Sequence, residues 1–242
     1  MSNFSTDQIK EVGLFQNLNN ETLHSILEKS QQRSVSRHAF YFHKDELATS
    51  LYVLIQGRVK LIQITPEGHQ VVLRIAVPGK MFGGIAAFGK TVYPASAQAI
   101  TDSKSLYWDG KTMAHLMEQY PSIASHALNH LATQLQEVQD RYRELATERV
   151  EQRVARTLIR LVRQSGRKTN EGVLIDIPLS RQDLAEMTGT TLFTVSRILS
   201  GWEQKNLVKT GREKVIITSP HALVSLAEDL PDIPKDDTPT HP

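Results

Sequence analysis

Six apolar residues, Leu128, Leu131, Leu135, Val138, Tyr142 and Leu145, recur at alternating steps of three and four behind Pro121. That spacing is an a/d heptad seam, and residues between them such as Gln136, Glu137, Asp140, Arg141, Arg143 and Glu144 are polar or charged. A helix of about 25 residues with so regular a stripe is longer than one small domain usually covers. The seam therefore predicts a partner helix, and a second copy of the chain in a symmetric homodimer is the simplest one.

The chain has a different texture on either side of this helix. Residues 7–30 read as short helices carrying Leu14, Phe15, Leu18, Leu23, Ile26 and Leu27. From about residue 34, short β-rich runs follow (39–42, 51–55, 59–64, 71–77, 97–100 and 105–108). They are punctuated by Gly57, Pro66-Glu67-Gly68, Pro78-Gly79 and Gly83-Gly84. Regularly spaced strands with turn signals predict an antiparallel sandwich or barrel. Beyond the long helix, Thr147 is the expected cap of a new helix with Val150, Val154, Leu158, Leu161 and Val162 inward. A polar loop at 164–170, a strand at 173–177, two helices and a hairpin (207–208 with 215–218) come next. The last dozen residues, rich in Pro and Asp, are expected to be disordered. The expected division is 1–120, 121–146, 147–220 and a partly disordered 221–242, in an α+β fold.

The formal charge of +2 conceals an asymmetry. Residues 1–140 carry 12 Lys/Arg against 12 Asp/Glu, residues 141–218 carry 15 against 9, and residues 219–242 carry 1 against 5. A basic block inside a neutral chain suggests a polyanionic partner for that block. The sequence has no cysteine, which excludes disulfides, thiol catalysis and cysteine-ligated iron–sulfur clusters. No run of 18 apolar residues and no basic flank before an apolar start occur, so no membrane partner and a cytoplasmic protein are expected.

Within the basic block, Ser180-Arg181-Gln182-Asp183 has capping-box character, with Leu184, Ala185 and Met187 behind it. Gly189 marks a turn, and Thr190 or Thr191 caps a second helix. Val195, Ile198 and Leu199 point inward there, and Phe193, Thr194, Ser196 and Arg197 outward. Two short helices joined by such a turn form a helix-turn-helix, whose second helix fits the DNA major groove. A hairpin bearing Lys209, Arg212 and Lys214 is the expected wing. The expected DNA contacts are Ser180, Arg181, Gln182, Thr190, Thr191, Leu192, Phe193, Thr194, Ser196, Arg197, Arg212 and Lys214.

Residues 10–218 resemble the cAMP receptor protein / fumarate-nitrate reduction regulator (Crp/Fnr) family of bacterial transcription factors. The resemblance rests on Ser50-Leu51-Tyr52-Val53-Leu54-Ile55-Gln56-Gly57-Arg58-Val59-Lys60 and Pro78-Gly79-Lys80-Met81-Phe82-Gly83. The long helix and Leu179-Ser180-Arg181-Gln182-Asp183-Leu184-Ala185, with Thr194-Val195-Ser196-Arg197-Ile198-Leu199, complete it. It implies an N-terminal cyclic-nucleotide-binding-type jelly roll, a dimerisation helix and a C-terminal winged helix on a palindromic operator. It also implies an exposed loop at 164–170 touching RNA polymerase, and effector gating through a hinge near 147–150. The implied effector set is Phe82, Gly83, Gly84, Ile85, Ala86, Ala95, Ser96, Val138 and Gln139.

The chain departs from the cAMP-binding members at the positions that matter for the nucleotide. Where those members hold the ribose with Glu and the cyclic phosphate with Arg, this sequence has Gly84 and Ala95, and two helix hydroxyls are replaced by Val138 and Gln139. A buried phosphate without its guanidinium is an uncompensated charge, so cAMP is not the expected effector. The small, apolar cassette (Ile85, Ala86, Ala87, Phe88, Val92, Tyr93) fits an uncharged or hydrophobic ligand. The backbone amides of Gly83 to Ile85 are still placed to cradle an anion. The chain looks like the nitrogen-oxide-sensing branch, in which haem is implicated. His126 and His130, at i and i+4, are the candidate ligands, although solvent-facing histidines are the simpler reading. Phe193 stands where many members place a cytosine-reading Glu. It either packs in the core or meets thymine methyls, and contact is expected because Val195, Ile198 and Leu199 already fill the inward face.

The enzymatic alternative, a cupin-like metal site, needs a His-x-His with a nearby Glu. His38, His43 and Glu46 have the wrong spacing, and no enzyme is expected. A second alternative is a regulatory module that acts only through protein contacts, which steep salt dependence of DNA binding would separate.

Overall fold

A computed structural model of the chain describes residues 6–229. It divides into two compact units with the boundary between Tyr142 and Arg143. That boundary falls inside the long helix, so the helix is shared by the two units and is not a domain of its own.

The N-terminal unit opens with α1 (Thr6–Lys10), a 3₁₀ turn (Gly13–Phe15) and α2 (Asn20–Glu28). The strands β1 (Gln31–Val35), β2 (Phe40–Phe42), β3 (Ser50–Gln56) and β4 (Val59–Ile64) come next. They are followed by β5 (Gln70–Ala76), β6 (Met81–Phe82), β7 (Ser96–Ala99) and β8 (Ser103–Asp109). Two four-stranded antiparallel sheets result, in the orders β1-β8-β3-β6 and β2-β7-β4-β5, the jelly-roll arrangement. Strand β3 shows how the sequence builds two cores at once. Leu51 and Val53 enter a cluster with Phe15, Ile26, Trp108, Leu116 and Ile123, while Tyr52 and Leu54 enter one with Phe42, Leu61, Phe82 and Ala97. Side chains two apart share a face, so a strand buried on both sides reads as one continuous apolar run. The buried Trp108 indole donates to the Ile26 carbonyl at 2.9 Å, which joins α2 to the sheet without an unpaired polar group.

Strand β1 escapes the sequence reading because Gln31-Gln32-Arg33-Ser34 is polar and mostly exposed along a sheet edge. Arg33 pays for its place by donating to Tyr52 Oη at 2.8 Å and lying over the Tyr41 ring. Helix α3 (Gly110–Gln119) is also absent from that reading. Asp109 caps it, accepting from the Thr112 amide at 2.9 Å. Helix α4 then runs unbroken over Pro121–Thr147.

The C-terminal unit holds α5 (Val150–Ser165), β9 (Gly166–Thr169), β10 (Gly172–Ile175), α6 (Arg181–Thr188) and α7 (Leu192–Gln204). It closes with β11 (Val208–Gly211), β12 (Lys214–Ile217) and α8 (Pro220–Glu228), and its sheet order is β11-β12-β10-β9. Three expectations are corrected. Thr147 ends α4, its hydroxyl bonded to the Arg143 carbonyl, and Arg149 occupies the cap of α5. The expected polar loop at 164–170 is the end of α5 followed by a strand, because β10 offers Gly166–Thr169 a full antiparallel ladder. The expected tail from 221 begins as helix α8, which buries Leu223 and Ala227. The disorder expected of the last dozen residues lies outside the described residues.

The corner between α4 and α5 is fastened by charge. Glu144, 6% exposed, takes both oxygens to Arg160 Nη1 at 2.7 and 2.8 Å, and Arg160 also donates to Thr157. One turn on, Glu148 accepts from Arg156 Nε at 3.0 Å, and Arg153 bonds the Glu148 carbonyl. Removing one partner strands the other's buried charge, whereas replacing both with apolar groups does not. Glu144→Ala is therefore expected to cost about 3 kcal/mol in urea unfolding of the C-terminal unit, and Glu144→Leu with Arg160→Met distinctly less.

Candidate nucleic-acid interface

Ser180 starts α6 with a reciprocal cap. Its hydroxyl accepts from the Asp183 amide at 2.9 Å, and Asp183 Oδ2 accepts from the Ser180 amide at 3.2 Å. Gly189 ends α6 in the left-handed region at φ 61°, where a side chain would also crowd Leu145 of α4 at 3.1 Å. Thr191 then caps α7 by accepting from the Thr194 amide at 3.2 Å. Val195, Leu199 and Trp202 are buried with Leu184 and Ala185. The Trp202 indole donates to Glu151 at 2.8 Å, anchoring the far end of α7 to α5.

This packing decides which face of α7 is free. Phe193 is 77% exposed and Leu192 48%, while Thr191, Arg197 and Ser200 are also exposed. Phe193 thus does not pack into the core. Phe193, Arg197 and Ser200 follow one another at steps of four and three, so they form a single outward stripe. Ser200 is the stripe member that the sequence reading passes over; its place one turn beyond Arg197 was the available signal. Thr194 and Ser196 are partly exposed, and Thr190 is half-buried in the turn.

The hairpin of β11 and β12 is tied to this helix. Glu203 Oε1 of α7 accepts from the Thr210 amide at 2.7 Å and the Thr210 hydroxyl at 2.8 Å, and Arg181 Nη2 reaches the same hydroxyl at 3.2 Å. Glu203 is a second residue that the sequence reading does not single out, because its role depends on a partner seven residues away. Arg212 and Lys214 stand exposed at the hairpin tip. A groove of about 350 Å³ opens between hairpin and helices, with Arg181, Leu192, Arg212 and Lys214 among its walls. Gln182 is exposed and bonded to Glu186. Lys209 is engaged by Glu171 at 2.5 Å, and this contact holds the Glu171 carboxyl below its usual range. The interface therefore offers exposed cations, N-terminal hydroxyls and one large apolar ring.

The expected effector residues fall into two groups in the N-terminal unit. Phe82, Ala86, Ala95 and Ser96 are buried, and Phe82 stacks on Tyr52 at 5.1 Å beside a Phe42–Tyr93 stack at 3.7 Å. Gly83 adopts φ 69°, where a Cβ would meet the Ser50 carbonyl at 2.9 Å, and Gly84 opens a 3₁₀ turn running to Phe88 with Ile85 partly buried. Val138 and Gln139 lie exposed on α4, outside that buried cluster. The histidines correct the solvent-facing expectation. His126 is half-buried with Nδ1 at 3.2 Å from the Leu14 carbonyl, and His130 is half-buried against Gln134 at 2.6 Å. Among the described residues, no group of three or more His, Cys, Asp or Glu is placed to hold a metal ion. No described helix is long and apolar enough to cross a membrane.

A folded pair of capped helices with a basic hairpin, behind a jelly roll, defines a helix-turn-helix DNA-binding regulator. Comparison with known proteins agrees. Residues 152–226 match the Crp-like helix-turn-helix domain, and residues 32–120 match the cyclic nucleotide-binding domain. The chain is 28% identical over 217 residues to a cyclic AMP receptor protein of Thermus thermophilus, covering 90% of this chain and 97% of that one. It is 23% identical over 219 residues to a CRP-like cAMP-activated global transcriptional regulator of Mycobacterium tuberculosis, covering 90% and 98%. The solved structure of FixK2 from Bradyrhizobium japonicum shares the fold, with a TM-score of 0.74 at 22% identity over 81% of this chain and 96% of that one. The chain belongs to the Crp/Fnr family of transcriptional regulators.

The Ser180 cap is expected to contribute about 1 kcal/mol to the C-terminal unit. Ser180→Ala should lower its unfolding free energy by that amount, read by denaturant titration, and Ser180→Asp should restore most of it.

Proposed function

We propose that the protein is an effector-gated homodimeric regulator that reads a palindromic operator through paired α7 helices and acts on transcription initiation together with RNA polymerase. The single observation behind the homodimer is the seam of α4. Leu128, Leu131, Leu135, Val138, Tyr142 and Leu145 are 62, 39, 59, 62, 74 and 54% exposed. Side chains of this size gain roughly 1.5–3 kcal/mol each on full burial, and about half of that from these partly covered positions. Twelve of them across a two-fold axis supply about 9–18 kcal/mol, on the scale of the roughly 4–15 kcal/mol that association costs. Polar neighbours flank the row, as a two-stranded coil requires.

The DNA-reading roles are assigned on exposure. Arg197 is aimed at base edges and Phe193 at thymine methyls, with Arg212 and Lys214 on phosphate. In this reading the effector is not cAMP, since Gly84 and the buried Ala95 carry neither the carboxylate nor the guanidinium a cyclic nucleotide would need. In this reading the hinge expected near residues 147–150 works against two ion-paired clamps. The Glu144 and Glu148 ion pairs fasten that corner within the C-terminal unit, and Leu145 of the seam lies beside the turn at Gly189, which supports a route from seam pairing to the helix-turn-helix. For RNA polymerase, the exposed surface at Arg167, Lys168 and Asn170 is offered by a β-hairpin.

Leu135→Asp places a charge in the seam, and sedimentation should then show a monomer at micromolar concentration with operator affinity reduced at least a hundredfold; an unchanged dimer would exclude the seam. Arg197→Ala should abolish operator-specific retardation while weak, salt-sensitive binding remains. Phe193→Glu should alter base preference in a randomised-site selection, and identical preferences would remove Phe193 from the interface.

A further inference from the structure

The groove of about 350 Å³ between the helix-turn-helix and the β11–β12 hairpin mixes two chemistries in its walls. Leu184, Leu192 and Leu199 give it apolar surface, and Leu192 is 48% exposed. Arg181, Arg212 and Lys214 give it cations, the last two exposed, with one acid, Glu213, between them in the chain. A nucleic-acid backbone answers the cations but brings no apolar side chain to the leucines. The groove as a whole suits a segment that carries acidic and apolar residues together.

The chain supplies such a segment directly behind α8. Residues 230–242 lie outside the described residues and begin Leu230-Pro231-Asp232-Ile233-Pro234-Lys235-Asp236-Asp237. Leu230 and Ile233 stand among three Asp and one Lys, and prolines at 231, 234, 239 and 242 reduce the backbone entropy that docking costs. The fold fixes where this segment departs. Asp229 ends α8 in the left-handed region at φ 54°, its amide bonded to the Ser225 carbonyl, and its carboxylate accepts from Arg149 at the cap of α5. Two residues along α5, Glu151 accepts from the Trp202 indole of α7 at 2.8 Å. From Trp202 back to Leu192 is about 15 Å of helix. The eight residues 230–237 span up to about 26–29 Å when extended, so their carboxylates come within range of the groove while the chain stays attached.

We propose that residues 230–237 dock in the groove between α7 and the β11–β12 hairpin of the same chain and compete there with DNA. Ile233 meets Leu192 and Leu199 in that arrangement. Asp232, Asp236 and Asp237 take Arg181, Arg212 and Lys214, so the segment stands in for phosphate. The proposal rests on the DNA-reading roles assigned above and adds a regulator of them. It also gives a use to the acidic balance of residues 219–242, which lies beside a basic block that DNA binding alone would leave unopposed. Tethering makes modest affinity sufficient, since a short linker holds the segment at an effective concentration on the order of mM.

The test uses the full-length chain. It contains no cysteine, so a nitroxide attached through Thr238→Cys sits at one position only. Paramagnetic broadening of the Leu192 and Val215 methyl resonances is expected. A saturating DNA duplex should abolish it, and so should Asp232→Asn, Asp236→Asn and Asp237→Asn combined. Without the label, that triple variant should bind a duplex about fivefold more tightly at low salt, with the gain shrinking as salt rises. Ile233→Ser keeps every charge and should still tighten binding about threefold, which general charge repulsion does not explain. Sharp Leu192 and Val215 methyls overturn the proposal, as does broadening seen only when label and methyl sit on different chains. A gain in the triple variant without one in Ile233→Ser also overturns it, reducing the segment to diffuse negative charge. Retardation of no duplex by the parent or any variant would overturn the DNA-reading roles and the competition with them, whereas broadening that persisted there would leave the docked segment.

Discussion

A helix of 27 residues cannot be covered by the two small units it joins, and this constraint governs the rest of the molecule. Its first turns are sealed by Ile123 and Ala127 in the N-terminal core. Its last turns are fastened to α5 by Glu144 and Glu148. Between these anchors three faces serve three purposes: an apolar row open to water, a polar stripe against β5, and a solvated remainder. Each face follows from the helical period acting on one stretch of sequence.

The two units use different means to hold their shape. The jelly roll relies on double-sided burial, with aromatic rings stacked between its sheets and Trp108 sealing the outer layer. The C-terminal unit adds directional bonds to its core: a reciprocal cap at Ser180, a one-way cap at Thr191, an indole on Glu151, and ion pairs at the α4–α5 corner. Such bonds set angles more sharply than apolar contact does. Angular definition is what a helix entering a groove needs.

Much of this was legible in the amino-acid order because local chemistry carried it. The heptad row, the capping box at Ser180–Asp183, the turn at Gly189 and the outward set on α7 are all short-range patterns. What escaped depended on distant partners. Strand β1 is polar and exists because β8 pairs with it; residues 166–169 become a strand because β10 lies alongside. Helix α8 follows a hairpin rather than a clear cap, and its N-terminal Ser219 makes no side-chain capping bond. The same distinction holds in the functional regions. Phe193 was readable from its neighbours and Ser200 from its place one turn beyond Arg197, whereas the role of Glu203 emerges only when helix and hairpin are brought together.

The carboxylate of Glu203 has a final consequence. By gripping the Thr210 amide and hydroxyl together, it ties the hairpin to α7 at two points. In the proposed complex, a helix and hairpin tied in this way would have less room to adapt to a duplex whose grooves are spaced differently. The deformation would then fall on the nucleic acid, and base steps that no side chain touches would enter the selection through how readily they bend.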